Sequence, residues 1–359
     1  MKIIHLPTPV GGNAWGLSRG ERLLGLKSDV LVAYDNWLHY PAYRVLLTAS
    51  PRNIFQRMHH GAIFFREMLK IRKQYDVFHF NFGTTLLDSP RYGLLLLDLP
   101  LYKHHGKIIV SYNGCDARQK YPTMKRTKFS ACHNETCYNG MCNDGMRDRR
   151  NREKILKFDR FADAIFALNP DLLNFLPERS QFLPYTIANW DGIRELPFVK
   201  ERETITIAHA PTNRAAKGSF IILKVLDQIK KIYKDKVKIF IIENRPYLEA
   251  LGIFPQADII IDQILVGWYG AIGVEAMKMG KPVLAFIREE DLHFIPPQMA
   301  EDCKNAIINA NPETLFDKLT ELIDNPGLIE HYRTQGLKYV NRWHDPRYVA
   351  GITKKAYES

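Results

Sequence analysis

The feature that most constrains this chain is the run from Ala257 to Phe286, ADIIIDQILVGWYGAIGVEAMKMGKPVLAF. ADIIID is a short apolar run of the kind found in strands buried on both faces, and PVLAF is a second one. Between them Gly267, Gly270 and Gly273 let the backbone approach a ligand closely. Val274 to Met279 predicts a short helix, closed by Gly280 with Pro282 just beyond. Glu275 therefore falls near a helix N-terminus at the carboxyl end of a parallel strand. Open α/β sheets bind ligands there, and free amides attract phosphate.

Length and composition set the outer bounds. With 359 residues, 46% hydrophobic and 25% charged, the chain has room for two globular domains. No apolar run reaches the roughly 18 residues of a spanning helix. Tyr92 to Tyr102 comes nearest and is broken by Asp98 and Pro100. The opening MKIIHLPTPVGG turns into a glycine loop after one strand, without the apolar core and cleavage site of a signal peptide. A cytoplasmic protein is expected, free or peripheral to the inner face of the membrane. The formal charge is +11, and Arg118 to Arg160 alone holds 12 Lys or Arg against 5 Asp or Glu. That segment reads as a solvated basic face or as a site for a phosphorylated acceptor or an anionic membrane surface. It carries no nucleic-acid-binding motif, and no nucleic-acid partner is expected.

Along the chain, strands alternate with helical stretches. Lys2–Leu6, Asp29–Tyr34, Asp76–Phe82, Lys107–Tyr112, Ala164–Leu168 and Gln181–Tyr185 read as strands. Helices are predicted at 17–26, 55–74 and 149–161, Asn169-Pro170-Asp171 opens another, and Pro90 to His105 reads as helical or irregular. Thr186 to Glu203 has no clear period and reads as a linker. A second alternation follows, with strands at 204–208, 237–243 and 305–309 besides the two in the opening stretch. Its helices fall at 218–234, 246–251, 312–323 and 326–343, and Asp345-Pro346 sets off a terminal helix over 347–357. The pattern predicts an α/β protein of two Rossmann-like domains with parallel sheets. Gly11, Gly12 and Gly16 make G-G-x-x-x-G, not the dinucleotide fingerprint, yet the strand–turn–helix suits a phosphate or sugar near Gly12.

Four of the five cysteines lie between Cys115 and Cys142, and Cys132, Cys137 and Cys142 are evenly spaced in a Gly/Asn-rich loop. Cys115, Cys132, Cys137 and Cys142 could form a four-thiolate structural zinc site. Disulfides, an iron–sulfur cluster and free thiols remain alternatives. Cys303 stands apart and is expected simply to be buried.

Taken together, these stretches resemble a GT-B glycosyltransferase, close to the retaining glycosyltransferase family 4. IAHAPTNRAAKG (Ile207–Gly218) is similar to the family's donor-diphosphate loop. GVEAMKMGKPV (Gly273–Val283) is similar to its G-x-x-x-E-A-M donor motif with trailing G-x-P-V. Asp76–Phe82, Ile109–Arg118 and Ala162–Tyr185 resemble stretches of its N-terminal domain. The resemblance implies two Rossmann-like domains facing a cleft and a C-terminal helix crossing back. The N-terminal domain would span 1–186 and bind the acceptor, with a basic Cys-rich insert at about 115–150. Residues 187–343 would bind the nucleotide sugar, and 344–359 would pack on the N-terminal domain.

It further implies a metal-independent, retaining transfer from a nucleoside-diphosphate sugar, with UDP favoured over GDP and no cofactor needed for catalysis. The acceptor would be a glycan, lipid-linked or other molecule, as in cell-surface polysaccharide or glycoconjugate synthesis. Arg214 and Lys217 would clasp the diphosphate, a bidentate fork and a point charge favouring the leaving group's developing charge. Glu275 would accept hydrogen bonds from the ribose diol. Gly267, Tyr269, Gly270, Ala271, Ile272, Gly12 and Asn113 would line the donor, and Asp116 would touch acceptor or sugar. Two departures stand out: Gly267 replaces a glutamate common in the family, and Asn113 replaces a histidine. They leave room for an alternative, a catalytically impaired GT-B protein serving as a nucleotide-sugar-binding or scaffold subunit.

Overall fold

The computed structural model describes residues 1–197 and 203–359. In chain order the elements are β1 (Lys2–Leu6), α1 (Asn13–Leu23), β2 (Lys27–Tyr34), β3 (Arg44–Leu47), α2 (Ile54–Ile71), β4 (Val77–Asn81), α3 (Leu99–Lys103) and β5 (Lys107–Tyr112). Then come α4 (Lys120–Arg126), α5 (Met146–Phe161), β6 (Ala164–Ala167), β7 (Gln181–Phe182), β8 (Ile205–His209), α6 (Arg214–Lys217), α7 (Ser219–Tyr233), β9 (Val237–Ile241) and α8 (Tyr247–Ile253). The last are β10 (Ile259–Gln263), α9 (Ala271–Lys278), β11 (Val283–Ala285), α10 (Pro297–Ala306), β12 (Ile307–Asn309), α11 (Leu315–Asp324), α12 (Pro326–Trp343) and α13 (Pro346–Glu358).

The chain divides into two compact units. One comprises residues 1–119, 146–188 and 345–359; the other comprises 120–145 and 189–344. Part of the expected linker, residues 198–202, lies outside the described residues. In the first unit a parallel sheet runs β3-β2-β1-β4-β5-β6-β7, so the strand order reverses between β1 and β4. In the second, the parallel order β12-β11-β10-β8-β9 reverses between β8 and β10. At such reversals the loops leaving two adjacent strands diverge to opposite faces and open a crevice at the strands' carboxyl ends. Each sheet encloses its own apolar core, with Phe78, Phe80 and Ile108 fully buried in one and Ile207, Ile261 and Leu284 in the other. No helix among the described residues is long and apolar enough to cross a membrane.

Three differences from the sequence reading have physical causes. β3 was not predicted: RVLL is a half-exposed edge strand, too short to show a period. α1 begins at Asn13, four residues before the first clearly amphipathic position. α10 was also unforeseen, because PQMAEDCKNA buries only Met299, Cys303 and Ala306 and so carries a weak apolar signal. Cys303 is fully buried, as expected.

The terminal helix does cross back, and a buried polar network holds it. Gly20 of α1 faces Pro346, whose carbonyl oxygen lies 2.1 Å from where a β-carbon would stand. Tyr357 of α13 donates to Glu21 Oε1 at 2.6 Å, while Ser28 donates to Oε2 at 2.6 Å. His5 Nε2 lies 2.8 Å from the same Oε2. His79 Nδ1 reaches the Tyr357 hydroxyl at 2.8 Å, and Nε2 meets Ser111 Oγ at 2.6 Å. Burial alone would raise the Glu21 pKa, but His5 and the hydroxyl donors outweigh it and hold the carboxyl below its usual value. Burial, with His5 beside it, keeps His79 well below the ordinary imidazole range. His5, Glu21 and His79 are the one described group of three with metal-ligating atoms within 4.8 Å. Both His79 nitrogens and both Glu21 oxygens already have hydrogen-bond partners, so the cluster fits a structural anchor better than a metal.

Candidate active site

The reversal between β8 and β10 gathers the charged residues of the second unit. β8 ends at His209, and the loop beyond it leads into the single turn of α6, where Asn213 Oδ1 caps the Ala216 N–H at 2.9 Å. This turn presents Arg214 and Lys217. The Arg214 guanidinium makes a two-point ion pair with Glu243, through Nε at 2.6 Å and Nη2 at 2.5 Å. Lys217 Nζ pairs with Asp262, a fully buried carboxylate near the end of β10. The other Asp262 oxygen accepts from the Gly270 N–H at 2.5 Å, which fixes the start of α9. Arg214 and Lys217 thus share one turn, each held by a different carboxylate.

Glu275 sits in the second turn of α9, 3% exposed. Its Oε1 is buried without a hydrogen-bond partner. Burial, with Asp262 adding to it, raises the carboxyl pKa to about 8. The Tyr247 hydroxyl opposes that rise, and leaving the other oxygen buried and unpartnered is costly unless a ligand completes it. Gly270 is the N-cap of the same helix and Ala271 and Ile272 open its first turn, to which the N-cap residue gives no side-chain hydrogen bond. Tyr269 departs from expectation. Its hydroxyl contacts Tyr339 at 2.6 Å and His344 at 2.8 Å, and the ring is fully buried. The side chain belongs to an aromatic core that steadies the loop.

Gly267 has φ +88, and a β-carbon there would lie 2.8–2.9 Å from three atoms of the Arg288 guanidinium. A glutamate there would strain the backbone and require the Arg288 guanidinium to shift. Arg288 is buried and pairs with Asp291 at 3.2 Å, which also takes Arg126 at 2.6 Å. Sequence reading missed Arg288; the only hint was the charged IREED that follows the PVLAF strand.

The basic Cys-rich insert requires a correction. It was expected in the N-terminal acceptor domain, but residues 120–145 belong to the second unit. Its Ala131 N–H donates to Leu265 of the loop after β10 at 3.2 Å, and Lys128 pairs with Glu313 at 2.5 Å. It walls a cavity of about 920 Å³ in which Lys128, Phe129 and His133 face Arg214, Phe220 and Lys224. Such contacts between segments far apart in sequence leave no periodic trace in the insert itself. The expected four-thiolate site does not assemble: among the described residues no cluster of three metal-ligating side chains includes a cysteine. Cys115 falls in the first unit and the other three in the second. The cysteines form no disulfide.

In the first unit, Asn113 stands at the carboxyl end of β5, and both polar atoms of its side chain are buried without partners. Asp116 differs from expectation: its carboxylate accepts from the backbone N–H of Asn113 at 3.1 Å and of Gly114 at 2.6 Å. It closes its own turn, and burial raises its pKa although those N–H donors oppose the shift. Gly12 is closely packed. A β-carbon there would stand 2.7 Å from that of Ala188 and 3.0 Å from the Tyr40 ring, so packing accounts for the glycine without a ligand.

Comparison with solved structures identifies the fold as GT-B. The chain aligns over 100% of its length, and 98% of the other's, with a sucrose-phosphate synthase from Thermosynechococcus elongatus, at TM-score 0.63 and 12% identity. An alpha-glucosyltransferase in complex with UDP and a 13-mer DNA aligns over 99% of both chains, at TM-score 0.58 and 10% identity. A UDP-GlcNAc 2-epimerase from Neisseria meningitidis, bound to UDP-GlcNAc, aligns over 100% of both chains, at TM-score 0.54 and 14% identity. No family model and no curated protein matches the sequence.

Proposed function

We propose that this protein is a glycosyltransferase that takes a sugar from a nucleoside-diphosphate donor, UDP in preference to GDP. The observation that carries the reading is the unpartnered, buried Oε1 of Glu275 in α9, a helix whose start is tied through Asp262 to Lys217, with Arg214 on the same turn as Lys217 after β8. One fixed carboxylate can accept from both hydroxyls of a ribose diol. The two cations and the uncapped first turn of α9 suit a diphosphate. Binding would exchange Glu243 for phosphate on Arg214, while Lys217 is already aimed at the site by Asp262. As the glycosidic bond breaks, the diphosphate gains negative charge, and both cations favour that state over the ground state.

In this reading the two cations do the work a divalent metal would otherwise do. Attack occurs from the face the diphosphate leaves, with retention, and a donor phosphate oxygen takes the acceptor's proton. The buried, unpartnered amide of Asn113 serves a sugar or acceptor hydroxyl in the first unit. The acceptor is a glycan or a lipid-linked molecule of cell-surface polysaccharide or glycoconjugate synthesis, and the protein works in the cytoplasm. The solved alpha-glucosyltransferase and epimerase carry UDP or UDP-GlcNAc on the same fold, which supports the choice of UDP. A second reading, a nucleotide-sugar-binding or scaffold subunit, is favoured by Asp116, whose carboxylate is engaged in its own turn.

A thermal-shift series with UDP, GDP and ADP tests the donor site, because a ligand bound only by the folded state raises Tm. UDP should give the largest shift, and Arg214→Ala should abolish most of it. No shift with any nucleotide sinks the reading. Incubating UDP-sugars with acceptor pools then separates transfer from binding alone. Interconversion of sugar nucleotides without acceptor would instead reveal an epimerase.

A further inference from the structure

The first unit holds an apolar surface that the donor chemistry does not use. Helix α2 buries Phe64, Met68 and Ile71 against the sheet. Phe55, Met58, Ala62 and Phe65 form a second stripe at helical spacing, turned to solvent. Phe55 is 78% exposed and Met58 67%, although side chains of this size normally leave water. Beside the stripe, at the β1–β4 reversal, a cavity of about 650 Å³ opens. Pro7, Phe64 and Leu86 lie among its walls, and Ile54, Met58, Tyr92, Leu94 and Leu97, all exposed, ring it. Stripe and cavity form one continuous apolar patch, the type that marks a docking surface.

Charge identifies the partner. Between Arg52 and Lys73 the chain carries Arg52, Arg57, Arg66, Lys70, Arg72 and Lys73 against Glu67 alone. Glu67 is buried and pairs with Arg44 at 2.6 Å. Arg57 and Arg91 line the cavity, and its one acidic wall residue, Asp88, pairs with Lys154 at 2.7 Å. A second copy of the same surface would bring like charges together. An anionic bilayer satisfies both halves of the patch, since apolar side chains enter the acyl boundary while the cations meet lipid phosphates.

We propose that α2 and the mouth of this cavity dock on an anionic lipid bilayer, with the cavity receiving a lipid chain. The surface is independent of the donor site and brings the first unit to acceptors carried in the membrane. Co-sedimentation with vesicles tests it, comparing phosphatidylcholine alone with phosphatidylcholine mixed with phosphatidylglycerol. The full chain should partition onto the mixed vesicles at least about tenfold more strongly, and added salt should weaken that binding. Phe55→Ser with Met58→Ser should lower the partition roughly tenfold or more, and Arg52→Glu with Arg91→Glu should also reduce it. Both variants change exposed positions and should keep the wild-type Tm and UDP-induced shift, which separates failure here from failure of the donor reading. Equal binding to both vesicle types, no binding, or variants that bind like wild type would overturn the proposal. So would light scattering that shows a dimer dispersed by the Phe55 and Met58 substitutions.

Discussion

The two strand-order reversals in this protein have the same topology and opposite chemistry. Between β8 and β10 the crevice is polar, with Lys217 and Asp262 at the start of α9, Glu275 in its second turn, and Arg214 on the turn of α6. Between β1 and β4 it is an apolar cavity lined with Met, Phe, Leu and Pro, with arginines among its walls. Parallel sheets fix where a crevice forms but not what it binds. The chemistry comes from residues on the loops leaving each strand, and those residues can be exchanged without altering the sheet.

The largest expected effect tests whether the polar crevice is a diphosphate site. Arg214→Ala should lower UDP affinity by roughly tenfold to a hundredfold, since a two-point charged contact is worth about 1.5–3 kcal/mol. Arg214 is largely exposed, so Tm without ligand should barely move. Lys217→Ala should differ, because it strands the buried Asp262 and costs about 3–5 kcal/mol of stability besides affinity. Nucleotide titration calorimetry and ligand-free melting on the pair separate the two roles. Equal behaviour of both variants would break the distinction between an exposed clasp and a buried one.

Next in size is Gly267→Glu, the substitution that restores the residue common in the resembling family. Left-handed backbone at φ +88 and overlap with Arg288 should cost about 2–4 kcal/mol, seen as a fall in denaturation midpoint. A variant as stable as wild type would show that the site tolerates a carboxylate there after all.

Glu275 offers a pH test. Its folded pKa of about 8 lies above the usual carboxyl value of 4.5, so the folded state holds this proton more tightly than the unfolded chain. The fold should therefore lose stability from this group as pH rises from 4.5 to about 8, and Glu275→Gln should remove that part of the slope. If the ribose diol binds the carboxylate, UDP binding at pH 7 should release a proton. Calorimetry in buffers of different ionisation enthalpy would show it, and no release would argue against the ribose role.

The smallest effect concerns the anchor of α13. Tyr357→Phe removes the donor to Glu21 and should cost about 1–3 kcal/mol. Folded His79 resists protonation, so the unfolded state gains protons below pH 6.5 and stability falls with acidification. Glu21, held below 4.5, adds a second loss as pH drops through that value. In Glu275→Gln, which removes the opposing gain from Glu275, a stability curve flat from pH 7 to 4 would contradict both.

Much of the fold was legible in the sequence because buried parallel strands leave short apolar runs between helical periods. The placement of the candidate polar residues was legible for the same reason: Arg214 and Lys217 follow β8, and Glu275 lies on the helix between β10 and β11. The local roles of Asp116 and Gly12 were not legible, because a turn-closing carboxylate and a glycine packed on Ala188 look, in one dimension, like any loop residues. The insert at 120–145 gave no sign of its unit, since its contacts with Leu265 and Glu313 join residues more than a hundred positions apart.

Local sequence determined the alternation of strands and helices, the charged loop after β8 and the acid of α9. These depend on spacing along one segment. Only the tertiary structure decided that Gly267 faces Arg288, that Oε1 of Glu275 is left without a partner, and that α2 turns a second apolar stripe outward. Those outcomes depend on which distant side chains share a volume, and desolvation, steric overlap and exposure are set there.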